Sequence, residues 1–487
     1  MADESFDEAS EYRAASRGMS WWFADEHFDQ DARDSRQPRP RRTGSRLLAH
    51  PGQLSILYFA ALIAVVTLLL LIPASSREQG STDPVTAFFT AVSALSTCGI
   101  PVVNTAEHWT RFGQAIILVS VQLGGLGVMT FASIIALAVS RHIKVQQRVL
   151  AANELGTTKL AEVRGVVTIV VVTTFAIEGV TMVFLFPGLY RLNGGELGVT
   201  LWEALFYAVS SYNNTGFTPD AAGLHVDSWA VGLPVLAAAF VGTLGFPVIL
   251  NLVRAARLRI APRRWNLHTK LTLVTTFALV ATSLLWFLVV EWNNPALFKD
   301  ADASMRLRSA LSAAVMPRSS GFDLSWVPRV SEETKVFMSG MMFIGGGSSS
   351  TAGGIRVTTF AVIVLMCRAA FTGRHDVNAF RRRIPTRLLT TAVSVTATCL
   401  ALVVAASLAL MFATDASLTD ALFETCSAFS LGGYTVGVAS ADDPATLLIL
   451  AAVMIVGRLG PMTFAYAISR PRTPEAVRYP QEPIVVG

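Results

Sequence analysis

One four-part pattern is written four times along this chain: a long uncharged apolar run, a short amphipathic stretch, a glycine turn, and a second long apolar run. The first unit uses residues 54–72, 83–96, a turn at 96–100 and 114–139; the second uses 166–189, 201–212, a turn at 214–217 and 229–252. The third uses 271–290, 303–316, a turn at 319–322 and 336–366, and the fourth uses 388–412, 419–429, a turn at 431–434 and 446–468. The marker glycines Gly99, Gly216, Gly321 and Gly433 lie 117, 105 and 112 residues apart, and so regular a period marks an internal repeat. A hydrocarbon core takes about 20 helical residues to cross, which the long runs supply and the short stretches do not. The expected fold is an all-α polytopic membrane protein. It has four repeats of span, re-entrant pore helix, filter loop and span, giving eight transmembrane helices around one central pore. The repeats occupy 51–150, 151–264, 265–380 and 381–487, after an N-terminal segment of residues 1–50.

Composition excludes the soluble alternative. Of 487 residues 52% are hydrophobic and 15% charged, against about a quarter charged in ordinary soluble domains. Arginines outnumber lysines 34 to 5, which in a soluble chain would suggest nucleic acid. Here they are sorted by side. With the N-terminus inside, the inner segments hold 25 Lys or Arg and the outer segments 9. The positive-inside rule therefore expects a multi-pass protein of the cell membrane with both termini cytoplasmic, in contact with lipid and not with nucleic acid. The last outer segment carries Asp415, Asp420, Glu424, Asp442 and Asp443 and no base, so it reads either as a cation-attracting mouth or as solvated loop acids. Residues 1–35 hold ten acids and three arginines, and segment 1–50 reads as a disordered cytoplasmic tail. Its Trp21-Trp22-Phe23 cluster suits a membrane interface or docking on a partner, and a sticky disordered segment equally. It opens without the basic-then-apolar order of a signal peptide. Cys98, Cys367, Cys399 and Cys426 have no ligand spacing and read as packing residues.

Irregular backbone at membrane depth is tolerated only where protein buries it or where it lines a water-filled path. Glycines also pack membrane helices, and one such loop alone would say little. Four at the same place in four repeats point to one axis. There the backbone carbonyls of Thr97, Cys98, Gly99 and Ile100, of Asn214, Thr215, Gly216 and Phe217, of Ser319, Ser320, Gly321 and Phe322, and of Leu431, Gly432, Gly433 and Tyr434 would replace an ion's hydration shell. Ser93, Ser96, Asn213, Asn214, Ser319, Ser320 and Ser427 suit the support of such loops.

The third unit has a second anomaly. The middle of the run 336–366 reads Gly345, Gly346, Gly347, Ser348, Ser349, Ser350, Thr351, Ala352, Gly353, Gly354. Each Gly costs a helix about 1 kcal/mol relative to Ala, so this stretch reads as a loop within the membrane. It lacks the lysine of a phosphate-binding loop. A movable plug is the sharper expectation and an inert helix break the plainer one. Arg458, inside the last run, either pairs with carbonyls of this loop or raises a barrier to cations. Glu178 is either a cation ligand or a structural carboxylate. Arg318 and Arg356 are expected to brace the third turn and the glycine loop.

At these residues the chain resembles the Trk/Ktr/HKT superfamily of potassium transporters, and most of all the bacterial KtrB-type membrane subunit. The matching stretches are Ser-Thr-Cys-Gly-Ile (96–100), Tyr-Asn-Asn-Thr-Gly-Phe (212–217), Pro-Arg-Ser-Ser-Gly-Phe (317–322), Ser-Ala-Phe-Ser-Leu-Gly-Gly-Tyr (427–434), residues 346–356 and Gly-Arg-Leu-Gly-Pro (457–461). The resemblance covers about residues 50–487, and the two extra N-terminal spans of Trk-type members have no counterpart here. It implies a homodimer, each chain with its own K+ pore, and a cytosolic KtrA-type nucleotide-binding ring that moves the intramembrane loop. Serine at a filter glycine favours sodium in the family, and four glycines here argue for potassium. Cys98 and Leu431 depart from the small or hydroxyl residues common at their positions. K+ would be the transported ion, with Na+ as a candidate activator and no organic cofactor in this chain. The rival within the class is a sodium-permeable or ion-coupled transporter. A transporter of organic solutes built on inverted repeats fits less well, and an enzyme lacks a catalytic cluster in the spans.

Overall fold

The computed structural model describes residues 51–77, 82–127, 160–220, 223, 228–298, 302–318, 320–322, 326–374 and 376–460. The expectations for segment 1–50, for Ser319 and for the far ends of the runs 114–139 and 446–468 lie outside the described residues. The first unit forms α1 (Pro51–Leu70), the short α2 (Pro84–Ser96) and α3 (Arg111–Gly125). The second forms α4 (Leu160–Leu192), the short α5 (Leu197–Tyr212), α6 (Trp229–Leu244) and α7 (Phe246–Arg257). In the third, α8 (Leu267–Trp286) runs on into a π turn, followed by the short α9 (Ala303–Val315), α10 (Glu332–Phe343) and α11 (Val357–Phe371). A two-stranded hairpin, β1 (Asn378–Ala379) and β2 (Arg382–Arg383), leads to α12 (Thr386–Ala413), the short α13 (Leu418–Ser430) and α14 (Pro444–Leu459).

The polarity of burial is that of a protein surrounded by hydrocarbon. Val183 and Val289, on long helices, are 70% and 71% exposed, and Phe175, Phe277 and Leu400 are more than half exposed. The short helices carry the buried residues, from Phe89 and Leu95 of α2 to Phe206 of α5 and Phe423 and Phe429 of α13. Such wide exposed apolar faces are out of place in water. By length and composition, Ile169–Leu192, Leu267–Glu291 and Thr386–Ala413 can cross a membrane unaided.

The short helices pack in cyclic order. Each lies against the long helices of its own unit, α2 against α1 and α3, α5 against α4 and α6, α9 against α8, and α13 against α12 and α14. Each also meets the unit before it: α5 meets α3, α9 meets α6, α13 meets α10, and α2 meets α14 of the last unit.

Two long runs are broken. The run 336–366 stops at Phe343 and resumes at Val357, so the glycine stretch is a loop as its composition requires. The run 229–252 was expected to be one helix and is two, bent by 102° at Gly245. The cause lies in the third unit. Gly245 has φ +84, and a Cβ there would run into the carbonyl of Ser348. Gly347 N–H donates to the Thr243 carbonyl at 2.7 Å and Phe246 N–H to the Ser349 carbonyl at 3.4 Å, so the glycine loop occupies the gap.

Candidate functional site

Asp83 caps α2, accepting from the amides of Val85 at 2.9 Å and Thr86 at 3.1 Å; Asp302 caps α9 from Met305 at 2.8 Å, and Ser417 caps α13 from Asp420 at 3.1 Å. Such caps satisfy orphan N–H groups and fix where each helix starts. Their other ends converge. A Cβ on Gly99 would overlap the carbonyl oxygen of Thr215, one on Gly216 would meet the backbone of Gly321, one on Gly321 the backbone of Gly433, and one on Gly433 the carbonyl of Cys98. Loop one therefore touches loop two, two touches three, three touches four, and four returns to one.

Three of these loops are built alike. Thr97, Asn214 and Leu431 are left-handed at φ 61, 59 and 58, and two residues on Gly99, Gly216 and Gly433 are left-handed at 81, 79 and 76. Cys98 N–H donates to Ser93 O at 2.9 Å, Thr215 N–H to Ser210 O at 3.0 Å and Gly432 N–H to Ser427 O at 2.8 Å. The same serines then reach across: Ser93 donates to Ile100 O at 3.2 Å, Ser210 to Phe217 O at 2.8 Å, and Ser427 accepts from Tyr434 N–H at 2.8 Å. Ser96 donates to Ser93 O at 3.3 Å inside α2. Loop three differs. Val315 stands where the others have serine, Met316–Arg318 form a 3₁₀ turn, and Ser320 N–H returns to Met316 O at 2.7 Å. The Arg318 side chain and Ser319 lie outside the described residues. Of the supporting serines, Ser210 is the one that sequence reasoning missed, although its seven-residue step to the end of the turn is the same as that of Ser93 and Ser427.

The glycine loop lies against the bases of turns one, two and four. Arg458 donates to Thr351 O at 2.8 Å, to Thr97 Oγ1 at 3.2 Å and to Gly124 O. Of the two readings of this arginine, the geometry matches pairing with loop carbonyls. Arg356 holds the loop from the other side through Ala352 O at 2.6 Å. Gly353 N–H and Gly354 N–H donate to Ser430 O at 2.9 Å and Phe429 O at 3.2 Å, at the end of α13. Glu178 is buried and accepts from Asn213 Nδ2 at 3.2 Å and Gln122 Nε2 at 3.3 Å, the satisfied structural arrangement.

The acids of the last outer segment are partly occupied. Lys335, from the third unit, bonds Asp420 at 2.9 Å and Glu332 at 2.9 Å. Burial pushes the Asp420 carboxyl up, but the bonds from Lys335 and Ser417 outweigh it and hold the group below the ordinary range. Asp443 caps α14 through Ala445 N–H at 3.1 Å, and Glu424 accepts from Val436 N–H at 3.0 Å. One acid of this segment, Asp420, is thus paired with a base from the unit before it. Among the described residues no three His, Cys, Asp or Glu side chains form a metal cluster.

Comparison with known proteins gives consistent results. The family described as "TrkH: Cation transport protein" matches residues 48–474. The chain is 32% identical over 439 residues to the Ktr system potassium uptake protein B of Bacillus subtilis, covering 90% of this chain and 97% of that one. It is 30% identical over 451 residues to the protein of the same description from Vibrio alginolyticus, covering 91% and 97%. It is also 30% identical over 448 residues to the potassium/sodium uptake protein NtpJ of Enterococcus hirae, covering 90% and 97%. The crystal structure of the potassium transporter TrkH from Vibrio parahaemolyticus superposes with a TM-score of 0.67 at 17% identity, over 89% of this chain and 87% of that one, which establishes the common fold.

Proposed function

The chain belongs to the TrkH family of cation transport proteins, and from that membership we propose that it is the membrane subunit of a potassium-uptake system. It is a membrane transport protein and not an enzyme. In this reading, four repeats make eight spans and four re-entrant helices around one pore. K+ enters down its electrochemical gradient, driven by about 2.3 kcal/mol per 100 mV of inside-negative potential.

The observation that carries the reading is the closed order of contacts among the four glycine turns. Carbonyls at 97–100, 214–217, 319–322 and 431–434 form the selectivity filter, trading hydration oxygens for protein oxygens. The loop 345–354, held by Arg458, is the gate below it. The proposal extends to a homodimer with cytoplasmic termini, opened by a cytosolic nucleotide-binding ring. The similarity to NtpJ favours one second reading, a filter that also passes sodium, or passes it as a coupled ion.

The test is Rb+ and K+ uptake in a potassium-transport-deficient bacterium expressing the chain with its cognate ring, with Na+ replacing K+ in parallel. Rescue at low external K+ supports the reading. Uptake of Na+ alone would leave the second reading in its place, and no cation flux would remove both.

A further inference from the structure

Three residues other than glycine hold left-handed backbone in the filter turns: Thr97, Asn214 and Leu431. The glycine loop contacts each of them. The Thr97 hydroxyl proton lies between two carbonyl acceptors, Ser96 O at 2.6 Å and Thr351 O at 3.0 Å, and Asn214 Nδ2 donates to Thr351 Oγ1 at 2.7 Å. A Cβ on Gly353 would press on Leu431 Cγ at 2.7 Å, so that side chain rests directly on the loop. The remaining turn is reached through Asn214, whose amide oxygen accepts from Ser320. One residue, Thr351, thus ties turns one and two directly and turn three through a single side chain, and all of these atoms are buried.

We propose that Thr351 is a positioning residue for the filter: in its closed position the intramembrane loop props the strained bases of the filter turns, and cation preference depends on that prop. The inference rests on reading the turns as a cation filter. A non-glycine residue stays left-handed only where its surroundings over-determine it. Here the loop is part of the surroundings. When it withdraws, Thr97 and Asn214 lose buried hydrogen bonds and Leu431 loses its support. Gate and filter then share one equilibrium, and linkage requires the reverse effect, with the ion in the filter biasing the loop.

The experiment compares Rb+ uptake and Na+ competition for wild type, Thr351→Val, Thr351→Ser and Thr97→Val, each with the cognate ring. The two valine variants delete different bonds to the same loop residue with little change of shape, and serine keeps the hydroxyl. We expect Thr351→Val to raise the apparent KM for Rb+ and lower discrimination against Na+ by about five-fold each, the low end of common coupling factors. Thr97→Val should shift both in the same direction, and Thr351→Ser should restore both. A valine variant that raises the maximal rate alone, with KM and discrimination unchanged, makes Thr351 a gate anchor only and overturns the proposal. A second measurement keeps the native filter and does not depend on those variants folding. In Ser349→Cys, on the exposed part of the loop and with the exposed Cys367 replaced by Ser, thiol labelling should proceed at different rates in K+ and in Na+, and equal rates overturn the coupling. A wild type that carries no Rb+ would instead remove the potassium reading on which the proposal stands.

Discussion

Ser210 donates its hydroxyl to the carbonyl oxygen of Phe217 at 2.8 Å, clasping the second glycine turn from the helix that delivers it. The bond aims one carbonyl of the proposed filter and leaves it only one free direction. Replacing Ser210 by Ala orphans that buried oxygen, at a cost of about 1–3 kcal/mol. The expected outcome is a lower thermal midpoint in detergent and weaker discrimination of Rb+ from Na+ in vesicle flux.

Gly99→Ser tests the closed order of contacts. The new Cβ would collide with the Thr215 carbonyl at a φ of +81, where side chains are already strained. Uptake should fall by at least about ten-fold, since one strained backbone position costs about 1–3 kcal/mol and the collision with the Thr215 carbonyl adds to it. Gly340→Ala is the control. Nothing lies within 4 Å of its Cβ, and uptake should stay at the wild-type rate.

Arg458→Leu removes the donor for the carbonyls of Thr351 and Gly124. Hydrogen bonds to charged groups contribute about 1.5–3 kcal/mol each, so the loop loses much of its anchorage on that side. Initial Rb+ uptake should rise and should depend less on the proposed regulatory ring. Uptake measured with and without the ring checks both.

The Lys335–Asp420 bond makes stability depend on acid. Because the Asp420 carboxyl is held below its ordinary range, its contribution is present above about pH 4, the unfolded value, and disappears as pH falls through the lowered folded value. Lys335→Met should therefore lower the thermal midpoint at pH 6, by an amount equivalent to about 0.5–1 kcal/mol. The gap between variant and wild type should narrow steadily as pH falls below about 4, the unfolded value, and a gap that stays constant would mean the methionine acts through packing.

What could be read along the chain was whatever is local in sequence. The ten residues Gly345–Gly354 cannot sustain a helix by themselves, so the break there follows from composition. The short helices and their turns follow from length and from the recurring glycine. Arg458 drew notice because an arginine is costly at that depth. The bend at Gly245 was not readable, because its cause is the Ser348 carbonyl one unit later. The pairing of Asp420 with Lys335 has the same origin in a contact between units. The irregular third turn was within reach, since Val315 breaks the serine spacing that Ser93, Ser210 and Ser427 keep.

The packing of α2 against α14 joins the first unit to the last. During synthesis the ribosome makes α2 early and α14 at the end, so the first short helix waits through nearly the whole chain for its neighbour. Until then the face it turns toward α14 has no lasting cover. A nascent chain is thus an open arc that closes only when residues 444–459 arrive. Premature stop codons anywhere before Pro444 should yield the same defect whatever their position: an unclosed ring, recognised and degraded by membrane proteases, with no graded series of partly active products.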